Sequence, residues 1–225
     1  YIRINYMKNN SLKVTFAIDK DSWLLPTLLK YIERNKNKCK QINLVFRSKD
    51  IKRGDLAFFL SFQEIVQKEI LSKNKNNLVV HQSALPKGKG MSPLSWQILE
   101  GKNSIPITLF EAVTELDAGN IYIQKNVKFK GTELLNELRK LQAKYTFELC
   151  DEFIDNYPEI LKKAKSQTGK SSFYKKRTPL DSELDINKSI LDQIDLLRIV
   201  DNRRFPAYFY YKEEKFKIKI YKNKK

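Results

Sequence analysis

The stretch NLVVHQSALPKGKGMSPLSWQILEG (residues 77–101) starts as an apolar, β-branched run, breaks into a loop of Pro, Gly and Lys, and resumes at helical spacing. It predicts a buried strand ending near His81 and a short helix, begun by Ser92 and Pro93 and stopped by Gly101. Upstream the same alternation recurs. LKVTFAID (12–19) predicts a strand and SWLLPTLLKYIERNK a helix, INLVFR (42–47) and DLAFFLSF (55–62) predict two more strands, and QEIVQKEILSK (63–73) predicts a helix carrying Ile65, Val66 and Ile70. Strands alternating with helices predict an α/β fold, a Rossmann-like, mostly parallel sheet flanked by helices. In such sheets ligands bind outside the carboxyl ends of the strands, which is where His81 falls.

Downstream, IPITLFEAV (105–113) and NIYIQKNVKF (120–129) predict a hairpin joined by a longer loop containing Asp117 and Gly119. A long covering helix follows, capped by Thr132 and interrupted at Pro158. Residues 166–185, SQTGKSSFYKKRTPLDSELD, read as a linker. The helix SILDQIDLLRIVDN and a strand pair, AYFYY and KFKIKIY, complete the chain. The expected organisation is a main domain over 1–165 and a small helix plus β-hairpin extension over 166–225. The opening stretch YIRINYMKNN is too polar to place.

At 225 residues, 41% of them apolar, the chain is long enough for one main core. Its net charge of +17 suggests a polyanion partner, yet only nine of its 43 cations are arginine, the better residue for bidentate phosphate and base contacts. Lysine instead mixes with asparagine, as in RNKNKCK, which reads as a solvated surface, so no nucleic-acid partner is expected; a basic nucleic-acid-binding protein is the rival class. Cys39 and Cys150 stand apart, and with one histidine in the chain no metal site is expected. Without a long apolar run or a leader pattern, no membrane association is expected and a cytoplasmic location is.

Read singly, His81 is a packed residue and Asp117 a turn residue. Together they have the composition of an assisted general base, since a carboxylate beside an imidazole raises its basicity.

HQSALPKGKGMSPLSWQILEG followed by ITLFEAVTELDAGNIY resembles the core of the folate-dependent formyltransferases, closely over 77–124 and in element order from 12 to about 160. In that family a strand ends in Asn-x-His-x-Ser-Leu-Leu-Pro, followed by a Gly-bearing loop, a Trp-containing helix and an Asp-bearing turn. The resemblance implies a formyltransferase fold and transfer of a formyl group from N10-formyltetrahydrofolate to an amine. It makes His81 the base and Asp117 its partner, and places the folate near Leu60, Phe62, Val79, Ala112, Val113, Thr114 and Leu116. Those apolar residues also read as plain core. The chain departs from the pattern where the family's asparagine, donor to the formyl oxygen, is replaced by Val79. Valine cannot donate, so His81, Gln82, Ser83, a backbone N–H or water would carry that load, or the chain is a weakly catalytic binder of folate or sugar nucleotide.

Among acceptor amines, a tRNA is disfavoured because the C-terminal segment is too short and helical for an oligonucleotide-binding barrel. A glycinamide ribonucleotide is disfavoured because FAIDKDSW has no phosphate-cradling glycine. The tail, FYKKRTP and then LLRIVDNRRFPAYFYY, is similar to that of the nucleotide-sugar N-formyltransferases. Their acceptor, a nucleotide-linked amino sugar, would meet Lys87, Gly88, Lys89 and Gly90 of the loop and Tyr174, Lys176, Arg177, Arg203 and Arg204 of the tail. A homodimer through the terminal strand pair is left open.

Overall fold

The structure, a computed structural model, describes residues 11–223; the unplaced opening stretch 1–10 lies outside them. The main sheet is built from β1 (Lys13–Ala17), β2 (Gln41–Val45), β3 (Gly54–Phe59) and β4 (Asn74–His81). After a two-residue strand apart from it, β5 (Lys89–Gly90), the sheet adds β6 (Ser104–Glu111) and β7 (Ile121–Lys128). The spatial order is β2-β1-β3-β4-β6-β7. The first four strands run parallel, and β6 and β7 enter antiparallel to their neighbours as the expected hairpin. The mostly parallel α/β architecture is thus as the hydrophobic periods predict.

Both faces of β1 and β3 are covered, which explains their continuous apolar runs. On one face α1 (Leu25–Asn35) and α4 (Leu135–Asp155) pack over Phe16 and Phe58, whose rings stack at 5.2 Å. Tyr31 of α1 stacks on Phe147 of α4 at 4.5 Å, tying the helices together across a separation of 116 positions in sequence. Each such buried ring contributes about 2 to 3 kcal/mol. The other face carries a smaller cluster, Ala17, Ile51, Ala57 and Phe59, with Phe62, Val66, Val79 and Ala112 half-buried around it. That incompletely covered face becomes one wall of a cavity.

Three expected elements differ. The helix over 63–73 shrinks to α2 (Lys68–Leu71), because Glu64 is drawn away to the backbone N–H and hydroxyl of Ser48 and the Gln63 N–H goes to Asp19. Thr132 does not cap the covering helix. Residues 130–133 form a turn closed by the Glu133 carboxylate on the Lys130 and Gly131 N–H groups, and α4 begins at Leu135 with Glu137 accepting from the Leu134 N–H. The segment 166–185 is not a bare linker. Within it β8 (Phe173–Tyr174) pairs in parallel with β5.

Beyond it, α5 (Ile194–Ile199) buries Arg198, 2% exposed, against the main body. A buried guanidinium is tolerated only when fully partnered. Here Asp195 lies at 2.6 Å, Asn103 Oδ1 at 3.3 Å and the Glu133 carbonyl at 3.3 Å. The chain closes with an antiparallel ribbon of β9 (Ala207–Tyr211) and β10 (Glu214–Ile218). No helix is long and apolar enough to cross a membrane among the described residues.

Candidate active site

A cavity of about 690 Å³ crosses the ends of β3 and β4 and is closed by the loop leading into α3 (Pro93–Leu99) and that helix's first turn, by α4 and by the tail. All seven residues expected on the folate side line it: Leu60, Phe62, Val79, Ala112, Val113, Thr114 and Leu116. Val113 and Leu116 are 44% and 62% exposed at its rim, apolar surface that a bound ring would cover.

His81 ends β4, is 7% exposed, and reaches the cavity, as does Asp117. They are not hydrogen-bonded to each other, contrary to a direct His–Asp pair. His81 Nε2 lies 2.7 Å from the Gly88 carbonyl oxygen, and Asp117 Oδ2 accepts the Gly90 N–H at 2.9 Å. The reason is that the Pro-Gly loop supplies a carbonyl to one and an N–H to the other. Asp117 itself is held at φ 49 in a turn whose carbonyls, of Asp117 and Gly119, both accept from Gln167 Nε2. Gly119 is required there, as a Cβ would lie 1.8 Å from the Glu111 carbonyl oxygen. Gln167, in the supposed linker, carried no signal in the sequence.

Of the expected acceptor residues, Gly90, Lys176 and Arg177 line the cavity. Lys87, Gly88, Lys89 and Tyr174 do not line it, because the loop of residues 86–90 turns toward Ser172 and Tyr174 of the tail. Lys89 is 5% exposed with its N–H on the Ser172 carbonyl. Tyr174 donates its hydroxyl to Glu100 at 2.7 Å and stacks on Trp96, and burial, followed by that bond, pushes the phenol pKa up. Arg203 and Arg204 lie outside the cavity lining. Their N–H groups cap Asp201, and the Arg204 guanidinium donates to the Asp21 carbonyl. A turn needs its carboxylate cap here, and that geometry sends both side chains outward while Asp201 and Phe205 line the cavity.

Arg177 is the more informative cation. Its Nη2 donates to the Asp181 carbonyl at 2.8 Å, but its Nε is buried with no hydrogen-bond partner, and burial lowers the guanidinium pKa. A cation on the cavity lining thus keeps one buried N–H unpaired. Lys176 nearby donates to Gln63 at 3.0 Å. Sequence reasoning missed Arg139, Gln142 and Thr146, which enter the cavity from α4. Their signal was a spacing of three and four that puts them on one face of a helix with polar residues elsewhere too, so it did not stand out. Arg139 pairs with Asp201 at 3.1 Å and lies 5.6 Å over the Trp23 ring.

With this geometry in view the comparisons are specific. Residues 14–148 match the family model described as formyl transferase, and the chain belongs to the formyl transferase family. Over 219 residues, 95% of the chain, it is 27% identical to a bifunctional polymyxin resistance protein ArnA from Wigglesworthia glossinidia brevipalpis. Over 80% of the chain it is 27% identical to a methionyl-tRNA formyltransferase from Thermodesulfovibrio yellowstonii. The chain spans 32% of the length of the first and 58% of the second. Among solved structures, a 4-N formyltransferase from Francisella tularensis superposes with a TM-score of 0.71 at 20% identity, covering 94% of this chain and 98% of that one. This last likeness shows the fold.

The family's formyl donor is N10-formyltetrahydrofolate. The residues present fit it. The half-buried cluster of Phe62, Val66, Val79 and Ala112 offers a flat apolar wall for a ring system, and the exposed Val113 and Leu116 stand at its edge. His81 and Asp117 lie on the lining of the same cavity.

Proposed function

We propose that the chain transfers a formyl group from N10-formyltetrahydrofolate to the amino group of a nucleotide-linked amino sugar. The acceptor class is a UDP- or dTDP-linked 4-amino-4,6-dideoxyhexose, or its 3-amino counterpart, of the kind that supplies surface polysaccharide. Residues 1–165 carry the donor side and the chemistry, and 166–225 complete the acceptor side.

The observation that carries this reading is one cavity with two chemically different halves. An apolar wall lies at Phe62 and Val79, while Arg177 presents an unpartnered Nε and Arg139 sits over Trp23. The first suits a pterin ring, the second a diphosphate and a base. Attack of the acceptor nitrogen on the formyl carbon requires loss of a nitrogen proton and places negative charge on the formyl oxygen. His81 takes the proton and returns it to N10 of the tetrahydrofolate as the bond between the formyl carbon and N10 breaks, which leaves the imidazole neutral again, while Asp117 supplies negative charge near the transient imidazolium and holds the loop. Val79 gives the oxygen no donor, and the Gln82 side chain, which is on the cavity lining and makes no hydrogen bond among the described residues, would supply one.

The test is a mass assay with N10-formyltetrahydrofolate and a panel of UDP- and dTDP-linked amino sugars, run beside His81→Ala. A product heavier by one formyl unit with the native chain, and none with the variant, is the expected result. Initiator methionyl-tRNA belongs in the same panel because relatives act under that name; formylation of the tRNA alone would replace the sugar reading. Ligand binding without turnover would leave a binding protein.

A further inference from the structure

We infer that neutral His81 is the Nε2–H tautomer, so that Nδ1 is its proton-accepting atom, and that Ser172 is the positioning residue that sets this tautomer through the Gly88 carbonyl. The proton-accepting role rests on the formyl-transfer reading above; the tautomer and its control do not.

A neutral imidazole has one N–H and one lone pair, while a carbonyl oxygen can only accept. A separation of 2.7 Å between His81 Nε2 and the Gly88 oxygen is a hydrogen bond, so the hydrogen is on Nε2. At 7% exposure, water competes poorly for either atom. After proton uptake both ring nitrogens are donors, and the Gly88 bond persists unchanged. The carbonyl therefore serves the base in both of its states. In many assisted bases a carboxylate has this task, but here the carboxylate of Asp117 accepts from the Gly90 N–H and makes no hydrogen bond to His81, whose Nε2 meets the Gly88 carbonyl.

The carbonyl is held in place from a distant part of the chain. The Gly88 N–H donates to Ser172 Oγ at 2.9 Å, the Lys89 N–H to the Ser172 carbonyl at 2.9 Å, and the Ser172 N–H to the Pro86 carbonyl at 3.4 Å. One residue thus brackets the peptide whose oxygen meets the imidazole. Gly88 has φ +72, and a Cβ on it would come within 2.9 Å of Ser83 Cβ and of the Tyr174 ring, so the loop has no slack for another residue. Four and five positions after Ser172 come Lys176 and Arg177, on the cavity lining. The segment that offers the acceptor its cations is the one that orients the base.

The chain's single histidine makes the test direct, since a long-range 1H–15N spectrum of the uniformly labelled chain contains one imidazole. The wild type should show Nε2 protonated and Nδ1 bare in the neutral form. Ser172→Ala loses only the hydroxyl contact, on an exposed residue, and keeps both backbone bonds. It should admit the second tautomer and lower kcat about threefold to tenfold, the loss of one hydrogen bond, with KM for the acceptor within about twofold. Ser172→Thr, which retains the hydroxyl, should restore both. A wild-type spectrum dominated by the Nδ1–H form overturns the tautomer assignment. An alanine variant with unchanged tautomer and unchanged kcat overturns the role of Ser172. If no amine in the panel is formylated, the formyl-transfer reading and the proton-accepting role fall together, while the spectra of the three chains still decide the tautomer and its control.

Discussion

Asp117 Oδ2 accepts the backbone N–H of Gly90 at 2.9 Å, so the carboxylate is bonded to the same loop that supplies His81 with its carbonyl partner. Asparagine could keep this bond through its amide oxygen but would remove the negative charge. Asp117→Asn should lower kcat roughly 100-fold, the scale of a lost participant in proton transfer, with the melting temperature close to that of the native chain. Activity retained in Asn but lost in Ala would make Asp117 a loop anchor only.

Val79, which the motif resemblance sets against the family's asparagine, lines the cavity beside the strand end that carries His81. Restoring a donor there should raise turnover. Val79→Asn is expected to increase kcat at least tenfold, a fraction of the roughly 100- to 1000-fold that one oxyanion donor can supply. Gln82→Ala in the native background should lower it by a similar factor. If Val79→Asn gains nothing while Gln82→Ala is silent, the formyl oxygen is served by neither position.

Arg177 offers one buried N–H without a partner while its Nη2 is tied to the Asp181 carbonyl. A lysine would keep the charge and lose the fork. Arg177→Lys should raise KM for the acceptor about tenfold with little change in kcat or in KM for the formyl donor. Equal effects on both substrates would place Arg177 in the structure of the tail rather than against the acceptor.

Asp181 anchors that tail, with Lys175 Nζ at 2.8 Å and the Thr178 N–H at 2.7 Å. The Lys175 bond, followed by the Thr178 bonds, lowers its pKa from 3.8 to about 2. A carboxylate whose folded pKa is depressed stabilises the fold above its unfolded value and stops doing so as pH falls through the folded one. Asp181→Asn should therefore melt below the native chain at neutral pH, and the two melting curves should converge as pH drops from about 4 to about 2. A gap that persists in acid would assign the effect to the amide's geometry instead of charge.

Much of this protein is local. Apolar residues in LKVTFAID and NLVVHQS recur with the period of buried strands, and those of the long helix with the period of α4, because burial on a sheet or helix face repeats within a short window. His81 at a strand end, and the seven residues expected on the donor side that line the cavity, follow from that pattern and from the resemblance of the motifs around them. The charges were less legible. Arg177 and Arg204 are alike as sequence, yet one faces the cavity and the other donates to the Asp21 carbonyl.

The sequence by itself determined the order of strands and helices and the chemistry available at the end of β4. Tertiary structure alone decided which atoms meet. Glu64 leaves a helix-forming stretch for Ser48, Arg139 enters the cavity from α4, and the imidazole of His81 takes the carbonyl of Gly88 in place of Asp117. Each of these outcomes is set by partners that are close in space, several of them remote in the chain, and a hydrogen bond depends on the final position of both ends. Hydrophobic periodicity needs only the residues next door.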